Sequence, residues 1–183
     1  TQMYYDEESM MNSLSIPLQK RILQQIYAKS LKKVELFQTI TNSGFLSEIM
    51  MRLKSEFAQP YQLICKEGDV ANSMYMIRKG VAAAFNGKNV TDVQSALLLS
   101  SGQAFDEIGL LADNVLRTAS VVSLDWCDLG YLTKQDFATV VSYYPKQRKL
   151  LEEYVLSPSL CVLGHVPCQN KLSSNFNVLR VDF

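Results

Sequence analysis

Long hydrophobic runs are missing from the 183-residue chain. Its apolar residues come in short stretches such as Val81 to Phe85 and Ala96 to Leu99, far below the ~20 residues needed to cross a bilayer. No charged-then-apolar leader opens the chain. Neither sign of charge is in excess, with 18 Lys+Arg against 18 Asp+Glu. There is thus no global basic field to hold a nucleic acid or an anionic lipid surface, and nucleic acid is not an expected partner. The single histidine, His165, lies in an irregular-looking tail, which argues against Ser-His-Asp or Cys-His catalysis and against an enzyme. Four cysteines, Cys65, Cys127, Cys161 and Cys168, are too few and too scattered for a disulfide scaffold, as in a reducing, cytosolic compartment. The chain opens on Thr1 rather than Met, which reads as a piece of a longer protein whose remainder can be membrane-embedded. No repeat and no low-complexity tract is visible.

What is present falls into three stretches. From Ser15 to about Leu53 the grammar is helical. Pro17 suits a first helical turn, and Leu18, Ile22 and Ile26 recur at four-residue spacing. After a break at Thr41-Asn42-Ser43-Gly44 a second apolar face carries Phe45, Leu46, Ile49, Met50 and Leu53, up to Pro60. Between Tyr61 and Leu132 the chain changes to runs of about five residues rich in Val, Ile, Tyr and Leu. The expected strands are 61–65, 74–78, 81–85, 96–99, 118–123 and 128–132. Turns are expected at Glu67-Gly68-Asp69, Lys79-Gly80, Asn86-Gly87 and Ser101-Gly102. Thr133 then caps a helix bearing Phe137, Val140 and Val141, and Pro145 starts another with Leu150, Leu151, Tyr154 and Val155 on its apolar face. These runs read as a small antiparallel barrel or roll, in the order helices, roll, helices.

The chemistry concentrates in Gly102-Gln103-Ala104-Phe105-Asp106-Glu107-Ile108-Gly109-Leu110-Leu111, followed after a short gap by Arg117-Thr118-Ala119-Ser120-Val121. A turn flanked by an acid and an arginine inside a strand roll holds the groups that a cyclic nucleotide requires. The planar fork of Arg117 matches a phosphate in charge and shape. The Glu107 carboxylate can accept a ribose 2'-hydroxyl. The backbone N–H groups of Ile108 and Gly109 can complete an anion nest, and Thr118 can add a hydroxyl to phosphate or base. Taken alone, Glu107 and Arg117 favour a surface ion pair on a β-hairpin, worth only ~0–1 kcal/mol.

The run Phe105-Asp106-Glu107-Ile108-Gly109-Leu110-Leu111 with Arg117-Thr118-Ala119-Ser120-Val121 closely resembles the phosphate-binding cassette of cyclic nucleotide-binding domains. Similarity continues through Tyr61 to Asp69, Met74 to Gly80, Leu129 to Leu132 and Asp136-Phe137 into Tyr144-Pro145. Upstream, Asp6 to Phe37, with Leu14-Ser15-Ile16-Pro17-Leu18 and Val34-Glu35-Leu36-Phe37, is similar to the last helices of the C-linker in hyperpolarisation-activated and cyclic nucleotide-gated channels. The resemblance covers about residues 4 to 157. It implies an α+β fold, an antiparallel, jelly-roll-like β-roll of about eight strands flanked by N-terminal and C-terminal helices, with C-linker-like helices over 1–42, a nucleotide-binding domain over 43–157 and an irregular tail over 158–183. It also implies cAMP or cGMP as ligand, bound through Asp106, Glu107, Ile108, Gly109, Arg117 and Thr118. The parent it implies is a membrane-embedded, homotetrameric cation channel whose neighbouring subunits meet through the linker helices, with this module on the cytoplasmic side. Two alternatives stay open: a regulatory module of a transporter such as a sperm-type sodium/proton exchanger, and a degenerate module that serves assembly alone.

Two departures from the family pattern bear on the site. Asp106 stands where the family has glycine, whose backbone reaches conformations costly for other residues. Its charge also repels a phosphate by about 3 kcal/mol at ~6 Å and an effective dielectric of ~20. Aspartate tolerates a left-handed φ better than most residues and can point outward, so the departure weakens the site without excluding it. Pro158 falls where channel relatives place a capping arginine and stops the lid helix near Leu156. The apolar segment Phe176-Asn177-Val178-Leu179 is then a candidate to fill the pocket from within the chain.

Other features read as structure. Cys161, His165 and Cys168 supply three ligands where zinc prefers four. Lys29, Lys32 and Lys33 read as a solvated helix face. Trp126 reads as packing, and Met10, Met11, Met50, Met51, Met74 and Met76 as core filler. The sequon at Asn89 carries no weight.

Overall fold

The computed structural model describes residues 7–38, 40–86 and 96–155. The Asn89 sequon, Gly87, Pro158, the Cys161-His165-Cys168 triplet and the segment 176–179 lie outside the described residues. In chain order the elements are α1 (Glu7–Asn12), α2 (Ile16–Leu31), α3 (Glu35–Gln38), α4 (Ser43–Met51), β1 (Lys54–Ala58), β2 (Leu63–Cys65), β3 (Ser73–Lys79), β4 (Val81–Phe85), β5 (Leu97–Ser100), β6 (Ala104–Phe105), β7 (Ser120–Ser123), β8 (Cys127–Thr133), α5 (Lys134–Ser142) and α6 (Pro145–Val155). The eight strands form two antiparallel four-stranded sheets, in the orders β1-β8-β3-β6 and β2-β7-β4-β5. With the flanking helices they make the expected α+β roll. Among the described residues no helix is long and apolar enough to cross a membrane.

Local chemistry accounts for the helix ends. Pro17 lies in the first turn of α2, where its missing N–H costs nothing. Asn42 caps α4 by accepting the Phe45 N–H at 3.0 Å, and Thr133 caps α5 by accepting the Asp136 N–H at 3.1 Å. The helix expected to run on to Leu53 ends at Met51, and β1 follows before Pro60. Strand β1 lies at a sheet edge and exposes Phe57, so its Lys-Ser-Glu-Phe-Ala sequence shows no apolar alternation. The strand expected from Tyr61 starts at Leu63, because Tyr61 sits at φ +64° in a turn. The one expected from Thr118 starts at Ser120.

Helix α2 carries two apolar stripes side by side. Leu18 and Ile26, taken in sequence as the packing stripe, are both 44% exposed. The stripe that packs is the next one round, Leu23, Tyr27 and Leu31, equally at four-residue spacing. Gly130 of β8 lets it dock, since a Cβ there would stand 2.9 Å from the Tyr27 ring.

The inner strands β3 and β8 of the sheet β1-β8-β3-β6 are buried on both faces. Met74, Met76 and Leu132 point to the helices, where they join Leu31, Phe37, Phe45, Ile49 and Phe137. Tyr75, Ile77, Cys127 and Leu129 point the other way, to Cys65, Ala82, Leu99 and Val121 of the second sheet. Two-sided burial explains why β3 reads as the near-continuous apolar run Met-Tyr-Met-Ile. Among the expected core fillers, Met50, Met74 and Met76 are buried, whereas Met10 is exposed. Trp126 is 62% exposed and packs into neither cluster.

Candidate functional site

Two segments, brought together by the roll, build the site. The first leaves β6, whose Phe105 pairs with Tyr75 of β3. It turns at Asp106, held at φ +64° and ψ +21°, into a short 3-10 turn over Glu107–Leu110. This is the left-handed conformation that glycine reaches freely and aspartate tolerates. Gly109 is fixed by a different need: a Cβ there would stand 2.5 Å from the Ala71 Cβ and 2.6 Å from the Ala71 carbonyl oxygen. Only glycine lets the turn lie this close to the 68–71 loop.

The second segment runs antiparallel to that same loop. The Ala71 N–H donates to the Val115 carbonyl at 2.8 Å, the Arg117 N–H to the Asp69 carbonyl at 2.8 Å, and the Gly68 N–H to the Arg117 carbonyl at 2.9 Å. Extended backbone alternates its side chains. Leu116 and Thr118 are accordingly exposed, at the rim of the site, whereas the Arg117 side chain turns in and is 8% exposed.

Between the two segments and the inner face of the second sheet lies a cavity of about 580 Å³, within the range of small-ligand sites. All six residues singled out in the sequence, Asp106, Glu107, Ile108, Gly109, Arg117 and Thr118, border it. Ala84, Leu97, Leu99 and Val121 supply an apolar wall opposite the polar groups. The first hydrogen bond of the 3-10 turn, from the Gly109 N–H to the Asp106 carbonyl at 3.2 Å, engages one of the two amides expected to meet a phosphate. The Ile108 amide precedes that bond.

Arg117 and Asp106 form an ion pair through Nη1 and Oδ2, with both side chains largely buried. The guanidinium also lies 5.5 Å from the Tyr75 ring centroid, a cation–π contact. Tyr75 in turn stacks on Phe105, with centroids 5.3 Å apart and planes 15° apart. Burial pushes the Asp106 carboxyl up from 3.8, against the pull of Arg117. Burial, with the Asp106 charge beside it, pushes the Cys65 thiol up to about 11. Burial also raises the Tyr75 phenol, with Glu56 adding to it. For Arg117 burial works downward, but Asp106 and Cys65 outweigh it and keep the guanidinium charged.

Cys65 and Tyr75 went unnoticed as site residues in the sequence. Their signal is positional: each is an inward-facing residue of a strand beside the cavity, and reading it requires knowing which strands flank Arg117. Chemically the arrangement suits a ligand with a small anionic group beside Arg117, hydroxyls near Glu107 and a flat apolar part against the second sheet. Among the described residues no group of three or more His, Cys, Asp or Glu is placed to hold a metal ion.

A family profile described as cyclic nucleotide-binding domain matches residues 56–144. Over 155 residues the chain is 34% identical to cyclic nucleotide-gated channel alpha-2 of Rattus norvegicus, covering 81% of this chain and 22% of that protein. It is 33% identical over 153 residues to cyclic nucleotide-gated channel alpha-3 of Homo sapiens, covering 81% and 22%. Identity is again 33%, over 155 residues, to a cyclic nucleotide-gated cation channel of Ictalurus punctatus, with 81% and 22% covered. The chain thus spans about a fifth of the length of the curated relatives it matches, 22% in these three.

Proposed function

We propose that the chain, whose residues 56–144 match the cyclic nucleotide-binding domain profile and which is similar to cyclic nucleotide-gated channels, binds cAMP or cGMP and regulates a cation channel. In this reading Arg117 meets the cyclic phosphate and Glu107 accepts the ribose 2'-hydroxyl. The amides of Ile108 and Gly109 line the phosphate side, Asp106 sets the backbone of the turn, and Thr118 at the rim reaches phosphate or purine. The purine lies against the apolar wall. The observation that carries the reading is the cavity of about 580 Å³ into which the one buried arginine of the motif turns.

Within the parent protein, the module lies on the cytoplasmic side of a membrane, and its helices before residue 43 meet neighbouring subunits of a homotetramer. The outward apolar residues Met10, Ile16, Leu18 and Ile26 of α1 and α2 supply surface for such contacts. Binding shifts gating only if the ligand interacts differently with two arrangements of the C-terminal helices. Helix α6, packed on the core through Leu151, is the element that moves.

Calorimetric titration with cAMP and cGMP tests this reading. Saturable binding by the chain, weakened ~30-fold or more in Arg117→Ala, is expected, because truncating a buried charged partner costs about 2 kcal/mol or more. Equal affinity in the two proteins overturns it. A second reading, a module kept for assembly without nucleotide, is favoured by one observation: Asp106 already occupies Arg117. Absence of binding across nucleotide concentrations up to the millimolar range is the result that selects it.

A further inference from the structure

The carboxylate of Asp106 stands where the ligand reading above, on which this inference rests, requires an anion. It is ion-paired to Arg117, and the pair is sheltered, with 15% of the Asp106 side chain and 8% of the Arg117 side chain exposed. Its position is built: the left-handed backbone at φ +64° aims the residue into the cavity, and the turn behind it is pinned by Gly109 against Ala71. Without ligand the Arg117 cation is therefore already paired, with the Glu107 carboxylate also bordering the cavity. A cyclic phosphate arriving at Arg117 brings a second anion to a single cation.

We propose that Asp106 is an internal competitor for the phosphate position, displaced from Arg117 when a cyclic nucleotide binds and taking up a proton as it is displaced. Losing its cation and gaining an anionic neighbour favours the neutral carboxyl in the bound state. A group that binds protons more tightly in the complex makes the complex tighter at low pH, and by reciprocity makes binding take up protons. The phosphodiester keeps its single charge throughout the physiological range and contributes nothing to this dependence.

The groups facing Asp106 are few. Arg117 comes from the 115–119 segment, Cys65 from β2 and Tyr75 from β3 beneath the guanidinium, with Glu107 next to it on the same turn and Glu56 of β1 reaching Tyr75. Arg117 stays charged, and the thiol and phenol, both pushed upward by burial, stay protonated below pH 8. Burial likewise raises the Asp106 carboxyl before any ligand arrives, which shortens the distance to protonation.

Calorimetric titration of the whole chain and of Asp106→Asn with cAMP and cGMP, at pH 7.5, 6.5 and 5.5 in buffers of differing ionisation enthalpy, tests this. Asparagine also tolerates the left-handed conformation, so the variant keeps the turn, and Asp106→Gly serves as a second form without the charge. The expected result is a wild-type affinity that rises as pH falls, by up to ~tenfold per unit for one proton, with measurable proton uptake. Both variants bind ~tenfold or more tightly than wild type at pH 7.5, with no pH dependence and no proton uptake. Binding by both variants with none by wild type at pH 7.5 supports the competition as well. A wild-type affinity flat with pH, or equal to that of Asp106→Asn, overturns the inference while leaving the nucleotide reading standing. If wild type and both variants all fail to bind either nucleotide, the nucleotide reading fails and takes the inference with it.

Discussion

Two arginine–aspartate pairs in this molecule are built from the same parts and face different surroundings. Arg78 of β3 donates through Nε to Asp128 of β8 at 2.7 Å and lies 5.9 Å from the Tyr27 ring, whose hydroxyl accepts from its Nη1 at 3.3 Å. Arg117 pairs with Asp106 and lies 5.5 Å from the Tyr75 ring. Each couples a guanidinium to one carboxylate and one tyrosine face. The first closes onto a packed helix, so every neighbour it needs is supplied by the chain, and it works as a clamp between α2 and the roll. The second borders a cavity of about 580 Å³, so under the proposal made above its carboxylate competes with a ligand phosphate for the same place. What separates the two pairs is the cavity beside the second, not the residue types.

Exchanging the fates of the two arginines is the strongest way to break the comparison. Arg78→Ala is expected to leave nucleotide affinity within about twofold and to lower unfolding stability by ~1.5–3 kcal/mol, the worth of charge-assisted hydrogen bonds left unmade. Arg117→Ala is expected to take the binding away. Denaturant unfolding alongside calorimetry for both variants checks this, and loss of binding in Arg78→Ala would erase the distinction.

Next in size is the matched pair of glycines at which backbone approaches something closely. Gly109→Ala places a methyl 2.5 Å from the Ala71 Cβ and 2.6 Å from its carbonyl, and Gly130→Ala places one 2.9 Å from the Tyr27 ring. Both lose ~1–3 kcal/mol through overpacking. Only Gly109→Ala, which shifts the turn beside Arg117, is expected to weaken nucleotide binding as well. Thermal unfolding and titration of the two variants sharpen the division between clamp and site.

The smallest effect concerns acid stability. Burial pushes the Asp136 carboxyl up, but the Thr133 hydroxyl, Lys54 and Arg52 together outweigh it and hold it below 3.8. A carboxyl with a depressed folded value contributes stability that is present above about pH 4 and is lost as pH falls through the folded value. Asp136→Asn, followed by unfolding at pH 7 and pH 3, should lose ~1 kcal/mol at pH 7 and less at pH 3, as for an acid in the first turn of a helix paired with cations. A constant difference between the two pH values would show that its charge is immaterial.

Much of the roll was readable because most of its strands are short apolar runs such as Met74 to Ile77 and Val81 to Phe85, and the turns carry glycines at Gly68, Gly80 and Gly102, all at positive φ. Helix caps at Asn42 and Thr133 were equally plain. Strand β1 was not, because an edge strand that exposes Phe57 and Lys54 shows no alternation to detect. The packing stripe of α2 was misplaced by one position because two stripes carry the same spacing, and only the neighbour they meet distinguishes them. At the site, the six residues of the motif were legible as a set, and the left-handed backbone at Asp106 followed from a non-glycine at a position that resembles a family glycine.

By itself, then, the sequence determined the order of helices and strands, the turn that carries Asp106 to Gly109, and which residues gather at one cavity. Those follow from local conformational preference and from motif spacing, both written in neighbouring residues. Tertiary structure alone decided that the Asp106 carboxylate turns inward onto Arg117 rather than outward to water, and that Tyr75 and Cys65 lie beneath that pair. The direction of a charged side chain depends on the dielectric and the counter-charge around it, and those exist only once β2, β3 and the 115–119 segment have been brought together.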